Sequence, residues 1–334
     1  MKRIVFVTQA VDPDHPVLAA AVPKIAALAR RVDEVTVLAL TARPGVLPAN
    51  CRVATFGAPV QALRGARLGA LVARELAVRR PAAVLAHMSP IYALIASRLA
   101  RPVGVPTLLW YTQWRTNPLL ERAVARASVV LTVDEASFPF RSPKVRAIGH
   151  GIDVGRFECA EPPGRARPRL LALGRYAEIK GYAALIEAMR EVDAELVIHG
   201  SLETDADRRH KPVLERLAAE LDGRVMLGGP LAPKDVPAAL AAADALVSGT
   251  RGGADKVVLE AGASCVPAFS PAAAFAPLLP DSLHFDDDLP AKLRAFAALP
   301  AAARGELGRN LRDRVVREHS VDGWADRVIE AAGL

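Results

Sequence analysis

Short apolar runs alternate with longer amphipathic segments along most of the chain. Runs such as "RIVFVTQ" (3–9) and "AAVLAHM" (82–88) predict strands, whereas helical apolar spacing predicts helices at 15–31 and 205–220. Strands that alternate with helices of ten or more residues are typical of parallel βαβ units with helices on both faces of the sheet. The pattern therefore predicts an α/β fold built from doubly wound parallel sheets.

The alternation stops once, near the middle of the chain, and then starts again. The segment "GIDVGRFECAEPPGRARP" (151–168) is rich in Gly and Pro and has no period, which is typical of a linker. We therefore expect two Rossmann-like domains that face a cleft. The predicted parts are a first domain at 1–152, a linker at 153–168, a second domain at 169–316 and a C-terminal helix at 317–334.

Composition limits the class of protein. With 334 residues the chain can bury the cores of two domains, and no apolar run approaches the twenty residues of a spanning helix. The three cysteines, Cys51, Cys159 and Cys265, are odd in number and far apart, so we expect no disulfide framework and no metal cluster. The N-terminus reads as a first strand and not as a signal peptide. These features fit a cytoplasmic protein.

The net charge of +7 is unevenly distributed. Residues 1–155 have 20 basic and 9 acidic side chains, for a net charge of +11, whereas residues 156–334 have 23 and 27, for −4. The basic half includes a segment at 63–80 with arginines among leucines and valines. Such a helix either rests on anionic lipid at the inner face of a membrane or packs normally with a solvated basic face. The chain has no recognisable nucleic-acid-binding module, so nucleic-acid binding is the less favoured interpretation.

A first candidate loop follows the predicted strand that ends at Leu173. Gly174 permits a tight turn, and Arg175 and Lys180 flank the start of the next helix. Backbone N–H groups, the positive end of a helix and two cations together suit a phosphate or diphosphate. The alternative is that both cations are ordinary surface residues.

A second candidate loop, "RGGADKVVLE" (251–260), has the same position in a later βα unit. Gly253 permits close approach of the backbone, and Asp255 is a favourable N-cap for the helix that follows. Lys256 either reaches a phosphate or pairs with Glu260 one turn later, and Glu260 alternatively accepts hydrogen bonds from a ribose diol. Two such loops in one half of the chain favour a nucleotide diphosphate.

Other polar residues stand at predicted strand ends or turns. Since ligands of open parallel sheets lie at the carboxyl ends of the strands, these residues are candidates as well. His87 is a candidate contact to donor or acceptor, His150 lies at the interdomain turn, and His199 with Gly200 could flank a base. For each histidine the alternative is a purely structural role. No spacing of Cys and His predicts a zinc site.

Several motifs together resemble one family. "LGRYAEIKG" (173–181), "VIHGS" (197–201) and "DKVVLEAGASCVPAFS" (255–270) resemble, in order and spacing, the C-terminal domain of GT-B glycosyltransferases of family 4. The first half is similar to the same group at "WYTQW" (110–114) and "IGHGIDVGRF" (148–157). The tail "HSVDGWADRVIEAAGL" (319–334) resembles the last helix of that fold, which crosses back onto the N-terminal domain.

This resemblance implies transfer of a hexose from UDP- or GDP-sugar to a hydroxyl acceptor, with retention and without a catalytic metal or other cofactor. It assigns the acceptor to the first domain and the donor to the second. Arg175 and Lys180 match the residues that hold the diphosphate, and Glu260 matches the glutamate that binds the donor ribose. A glycan or a lipid-linked sugar is the expected acceptor, as in polysaccharide or glycolipid synthesis.

Two positions depart from the family pattern. Gly252 stands where many members have a first glutamate, eight residues before the second, and Gln113 stands where many have a histidine. Glutamine cannot act as a general base, but it can donate and accept hydrogen bonds to a sugar hydroxyl. We therefore take Arg175, Lys180, His87 and Gln113 as the candidate catalytic residues. A catalytically degenerate partner subunit is the alternative that these departures leave open.

Overall fold

The computed structural model describes residues Met1–Leu334 and divides them into two compact units. Unit 1 comprises Met1–Asp153 and Glu318–Leu334, and unit 2 comprises Val154–Arg317. Each unit is built on one sheet in which every strand pair is parallel. The prediction of an α/β fold with two parallel sheets is therefore confirmed.

Unit 1 contains a seven-stranded sheet with the order β3-β2-β1-β4-β5-β6-β7. Its strands are β1 (Arg3–Val11), β2 (Glu34–Ala42), β3 (Cys51–Thr55), β4 (Ala83–His87), β5 (Thr107–Trp110), β6 (Val129–Thr132) and β7 (Val145–Ala147). The central strands are nearly continuous apolar runs because helices cover both faces of the sheet, so all five residues of β4 are buried.

The helices of unit 1 include one that differs from its prediction. They are α1 (Ala21–Ala29), α2 (Gln61–Val78), α3 (Pro90–Ala100), α4 (Pro118–Arg126) and α11 (Val321–Ala331). The helix predicted at 15–31 begins only at Ala21. Before it, the His15 Nδ1 accepts hydrogen bonds from the amides of Val17 and Leu18, and this local side-chain contact favours turns.

The C-terminal segment packs within unit 1. The amide of Ile152 donates to the carbonyl of His319, and the amide of Val321 donates to the carbonyl of Ile152, each at 2.7 Å. Trp324 is fully buried, and its ring meets that of Trp110 edge to face with centroids 5.6 Å apart. The tail is thus part of the core of unit 1.

Unit 2 contains a five-stranded sheet with the order β10-β9-β8-β11-β12. Its strands are β8 (Arg169–Leu173), β9 (Glu195–His199), β10 (Val225–Gly228), β11 (Ala245–Val247) and β12 (Ala268–Phe269). Its helices are α5 (Tyr182–Ala188), α6 (Asp205–Ala219), α7 (Val236–Ala241), α8 (Lys256–Ala263), α9 (Leu289–Ala297) and α10 (Ala301–His319), which ends just past the unit boundary. α6 matches the helix predicted at 205–220. No helix of the protein is both long and apolar enough to cross a membrane.

A disulfide in unit 2 corrects the expectation from the cysteine count. Cys159 and Cys265 are bonded across 106 residues of sequence, and Cys51 is the free cysteine. The amide of Ala160 donates to the carbonyl of Ser264 at 2.9 Å, which places the predicted linker beside the end of α8. The prediction of no disulfide was therefore wrong, because two cysteines that are far apart in the sequence lie next to each other in the fold.

Candidate functional site

The two candidate loops lie side by side at the carboxyl end of the sheet of unit 2. They follow β8 and β11, which are neighbours in the sheet. The backbones of the two loops approach each other at Gly181 and Gly249. A Cβ on Gly181 would lie 2.6 Å from the carbonyl oxygen of Gly249. Gly181 also has a φ of +66°, which favours glycine. The loops therefore form one packed surface.

An ion pair joins the two loops. The Lys180 Nζ donates a hydrogen bond to the Asp255 Oδ2 at 2.8 Å. The same oxygen accepts from the hydroxyl of Thr250 at 3.0 Å and from that of Ser248 at 3.1 Å. The Lys180 side chain is 21% exposed and that of Asp255 9%. The lysine predicted from the first loop is thus held by the second.

The charge state of Asp255 follows from its surroundings. Burial raises the pKa of its carboxyl, but the Lys180 ammonium and the hydrogen bonds from Lys180, Thr250 and Ser248 together lower that pKa below its ordinary value. The carboxylate is therefore ionised at neutral pH, and Lys180 faces a full negative charge.

Gly174 provides the space that Lys180 occupies. Its φ of +147° is accessible to glycine but strained for other residues. A Cβ there would lie 2.8 Å from the Lys180 Cε and 3.0 Å from the Tyr182 hydroxyl. That hydroxyl is buried and makes no hydrogen bond, and burial, followed by the charge of Asp255, raises its pKa well above the ordinary value. Lys180 is thus packed along its length as well as paired at its tip.

The N-terminus of α8 differs from the prediction in one respect. Asp255 occupies the N-cap position, but its side chain makes no capping hydrogen bond, because its carboxylate points to Lys180, Ser248 and Thr250 instead. One turn on, the Lys256 Nζ donates to the Glu260 Oε1, and Glu260 is 8% exposed. The ion pair between Lys256 and Glu260, one of the two predicted alternatives, is therefore present. A ribose contact of Glu260 stays a prediction.

Arg175 also pairs with a carboxylate of unit 2. Its guanidinium lies 3.6 Å from the Asp207 Oδ2, with the arginine side chain 40% exposed and the aspartate side chain 2% exposed. Asp207 belongs to a capping box with Thr204 at the start of α6. Burial raises the pKa of Asp207, but hydrogen bonds from Thr204 and Glu203 and the charge of Arg175 lower it overall. Arg175 is therefore oriented toward α6.

The remaining predicted residues of unit 2 lie at the same end of the sheet. His199 ends β9, and its Nδ1 is 3.1 Å from the carbonyl oxygen of Gly229. Gly200 follows it, and its Cα packs against Tyr176 so closely that a Cβ would lie 2.7 Å from the ring. Gly253 adopts a φ of +74° in the loop before α8. All the residues predicted in unit 2 therefore belong to two adjoining loops or to the neighbouring strand end.

The candidates of unit 1 have different surroundings. His87 is 3% exposed, its Nδ1 lies 3.4 Å from the Thr8 hydroxyl, and burial followed by the charge of Lys24 lowers its pKa well below the ordinary value. Gln113 is exposed, and its Oε1 accepts from the hydroxyl of Tyr111 at 3.1 Å. The His150 amide donates to the Nδ1 of His319 in the tail at 3.3 Å. His87 therefore has the environment of a core histidine that is neutral at pH 7.

Four residues that complete the site were missed by the sequence analysis. They are Asp207, Ser248, Thr250 and Tyr182, all of them buried. Each is a common polar residue whose importance comes from a partner elsewhere in the sequence, such as Asp255 for the two hydroxyls. Only Asp207 had a local signal, the "TDAD" capping box at 204–207. No group of three or more His, Cys, Asp or Glu side chains is arranged to hold a metal ion.

Comparisons with known proteins agree with this geometry. Residues 167–282 match the family model described as "Glycosyl transferases group 1". This chain carries a glycosyltransferase domain. The matched segment contains both candidate loops, so the prediction of a glycosyltransferase is confirmed at this level. A search of curated proteins found no significant match.

Solved structures extend the similarity to the whole length of the chain. Sucrose-phosphate synthase from Thermosynechococcus elongatus is 16% identical with a TM-score of 0.78, covering 99% of this chain and 98% of that one. Anabaena HepE in complex with UDP and glucose is 14% identical with a TM-score of 0.77, covering all of both chains. WaaG, a glycosyltransferase involved in lipopolysaccharide biosynthesis, is 14% identical with a TM-score of 0.67, covering 98% and 99%. These likenesses establish the GT-B fold around the glycosyltransferase domain.

Proposed function

We propose that the protein transfers a hexosyl group from UDP- or GDP-hexose to a hydroxyl group of a glycan or lipid-linked acceptor. In this proposal the transfer proceeds with retention and without a metal. The donor binds unit 2, where its diphosphate meets Lys180, Arg175 and the N-terminus of α8, and its ribose meets Glu260.

One observation carries this proposal, namely the convergence of the two loops at Lys180 and Asp255. An ordinary surface lysine would not be packed along a glycine and fixed by a buried carboxylate at a strand end. Anions bind well where a fixed cation lies beside the N–H groups of a helix N-terminus. The Anabaena protein with the same fold has been solved with UDP and with UDP-glucose, which supports a nucleotide-sugar donor.

The proposed reaction breaks the bond between the anomeric carbon and the diphosphate oxygen. Negative charge develops on the departing diphosphate, where the cations and the helix N–H groups stabilise it. The acceptor hydroxyl oxygen forms the new bond to the anomeric carbon, and its proton passes to an oxygen of the leaving phosphate. This route needs no protein base, in keeping with the glutamine at position 113.

The proposed acceptor side includes contact with an anionic membrane surface. Glu75 is the one acidic residue of α2, and it is buried, where it accepts from the Thr36 hydroxyl. The exposed face of α2 instead presents Arg74 together with Leu63 and Val78, which are 41% and 70% exposed. Such a face fits anionic headgroups. Flotation with liposomes that contain anionic lipid, but not with neutral liposomes, is the expected result, and an Arg74→Glu variant should weaken it.

The donor proposal is tested by calorimetric titration with UDP, GDP and ADP. We expect one of the first two to bind, and Lys180→Ala and Arg175→Ala to weaken binding by tenfold or more, because each removes a charge-assisted hydrogen bond. Arg167→Ala is the matched control, since Arg167 is half-exposed and paired with Asp193 in the same unit. Full affinity in both site variants would refute the diphosphate assignment.

A second candidate function is that of a catalytically inactive partner subunit. Gly252 favours it, because the loop there supplies no carboxylate to the transferred sugar. This function predicts that none of the three nucleotides binds and that turnover is absent with every nucleotide sugar. Measurable hydrolysis or transfer of a UDP- or GDP-hexose would exclude it.

A further inference from the structure

We infer that Asp255 is a positioning residue, which holds the Lys180 ammonium in place for the donor diphosphate and does not itself contact the donor. The inference rests on the proposed function of this site, because it concerns how the site is organised for a diphosphate. It replaces the helix-capping role that the sequence indicated for Asp255.

The hydrogen bonds of the Asp255 carboxylate support a positioning role. The Lys180 ammonium and the hydroxyls of Ser248 and Thr250 all donate to the same oxygen, Oδ2, at 2.8 to 3.1 Å. Both hydroxyls belong to residues that are at most 7% exposed. They are therefore fixed donors that determine where the carboxylate, and hence the ammonium, lies.

The packing of the Lys180 stem supports the same role. Gly174 leaves room for the Cε, and the close approach of Gly181 to Gly249 fixes the backbone from which the lysine projects. Only the ammonium end remains to be oriented, and Asp255 is the residue that pairs with it. An ammonium group has three N–H bonds, of which this pair occupies one. The remaining N–H bonds are available to an anion.

The opposite charges of Asp255 and Lys180 also support this role. A partly buried ammonium without a counter-charge is drawn toward water, because burial of an unpaired charge is unfavourable. Breaking a buried pair by removal of one partner is costly for the same reason. Asp255 therefore holds the Lys180 ammonium in place at the strand ends.

The test is a double-mutant cycle read by calorimetric titration of UDP, or of GDP if GDP binds the wild type more tightly. We expect Asp255→Asn to weaken binding about tenfold in the wild type. In the Lys180→Ala background the same substitution should leave affinity within twofold or improve it, since it removes a buried negative charge that has lost its partner. In turnover, Asp255→Asn should raise the donor KM about tenfold and leave the acceptor KM unchanged.

Two further variants separate positioning from stability. Asp244→Asn is the matched control, because the Asp244 side chain is also buried in unit 2 and accepts from the Arg169 amide at 2.9 Å, but belongs to no candidate loop. It should lower Tm and leave nucleotide affinity unchanged. Ser248→Ala combined with Thr250→Val keeps the charge of Asp255 but removes the hydroxyls that orient it, and should weaken binding about threefold even if Asp255→Asn fails to fold.

The outcomes distinguish this inference from the proposed function. If the wild type binds none of the nucleotides, both are wrong. If Lys180→Ala weakens binding but Asp255→Asn and the double hydroxyl variant do not, only the inference is wrong. Equal losses from Asp255→Asn in both backgrounds, or a loss with UDP-glucose but not with UDP, would indicate direct donor contact and overturn the positioning role.

Discussion

The carboxyl ends of the two parallel sheets are built from different residues. In unit 1 the buried Trp110 ends β5, and Lys24, only 1% exposed, lies with its Nζ 5.6 Å from the ring centroids of both Trp110 and Trp324. In unit 2 the strand ends are followed by Gly174 and Gly200, and Lys180 is partly exposed beside Asp255. The same architecture thus supports a closed edge in unit 1, where the lysine is buried, and an open edge in unit 2, where the lysine is accessible to a ligand.

This difference teaches where ligand chemistry can occur on a doubly wound sheet. A lysine that packs between two indole rings stabilises its domain through cation–π contacts and burial. A lysine that is partly exposed and paired with one carboxylate has the same charge but retains access to an anion. Position at a strand end is therefore insufficient by itself, and the volume of the neighbouring side chains decides the role.

The units also differ in how their ends are fastened. Unit 1 is completed by the C-terminal segment through non-covalent contacts, including the His150 amide on the His319 ring and Arg31 paired with Asp322 and Asp326. Unit 2 is fastened by the bond between Cys159 and Cys265. The two units should therefore respond to different perturbations, which the following predictions use.

Removal of the disulfide should destabilise unit 2 alone. In the chain-entropy account, a cross-link that closes a loop of about 100 residues stabilises the folded state by roughly 4.7 kcal/mol, and measured values are often about 2–4 kcal/mol. We expect Cys159→Ser to lower the unfolding free energy of unit 2 by about 2–4 kcal/mol. Urea titration followed by far-UV circular dichroism measures the loss, while tryptophan fluorescence, which reports only unit 1 through residues 110, 114 and 324, should keep its midpoint.

Cys51→Ser is the matched control for this comparison. Cys51 is the free cysteine, lies in unit 1 and is half-buried. Replacement of Cys51 should leave the circular dichroism transition of unit 2 unchanged. The response of that transition to a dithiol reductant should also be unchanged. A fluorescence midpoint that moved with Cys159→Ser would mean that the units do not unfold independently.

Acidification should destabilise unit 1 first. Burial lowers the pKa of His319 to about 4, so the unfolded chain takes up this proton near pH 6.5 and the folded chain does not until about pH 4. Stability is therefore intact above pH 6.5 and falls as the pH drops to 4, by about 3 kcal/mol. The pKa of Asp255 is instead lowered below its ordinary 3.8, so the Lys180 pair is lost only below that pH. Urea midpoints from tryptophan fluorescence between pH 7 and 4.5 measure the fall.

His319→Gln is the variant that checks the assignment to this residue. A glutamine oxygen can still accept from the His150 amide but does not titrate. The variant should reduce the pH dependence of the fluorescence midpoint by more than half, with the remainder due to other histidines such as the buried His87. An unchanged slope would assign the acid sensitivity to groups other than the tail histidine.

Much of the fold was predictable because the physical cause of each element is local. Buried parallel strands such as β1 and β4 must be almost entirely apolar, and that pattern is visible in the residues themselves. The start of α1 and the disulfide were not predictable from the same pattern. The former depends on the His15 ring and two amides, and the latter on two cysteines 106 residues apart.

The candidate site was predictable in its position but not in its organisation. Gly174, Lys180 and Asp255 could be found because each follows an apolar run at a strand end. The preference of aspartate for N-cap positions correctly placed Asp255 at the start of α8. Its carboxylate nevertheless binds a lysine 75 residues earlier, and that choice depends on strand order, which hydrophobic periodicity does not contain.

Replacement of Lys180 or of Lys24 by alanine should affect donor use in the first case and only stability in the second. We expect Lys180→Ala to reduce kcat/KM for the donor about 100-fold, equivalent to about 2.7 kcal/mol, because it removes a cation where negative charge develops. Its Tm should fall as well, because the Asp255 carboxylate is left buried without its partner, so the contrast with Lys24 lies in kcat/KM. Lys24→Ala should instead lower the unfolding free energy of unit 1 by about 2–4 kcal/mol through the cavity beside Trp110 and Trp324, with donor binding retained. Steady-state kinetics and thermal melts of both variants measure the contrast, which a shared loss of kcat/KM would contradict.

The smallest expected effect comes from one methyl group at the open edge. Gly174→Ala places a Cβ 2.8 Å from the Lys180 Cε, so the lysine must move away from Asp255. We expect nucleotide affinity to fall about tenfold, or about 1.4 kcal/mol, because one charge-assisted hydrogen bond is misdirected. Gly164→Ala is the matched control, since Gly164 also has a positive φ in unit 2 but a Cβ there would meet no atom within 4 Å. Gly174→Ala should have the lower Tm of the two, because its φ of +147° is more strained for alanine than the +68° of Gly164. Affinity is therefore compared well below both melting temperatures, where displacement of Lys180 explains a loss that Gly164→Ala does not show.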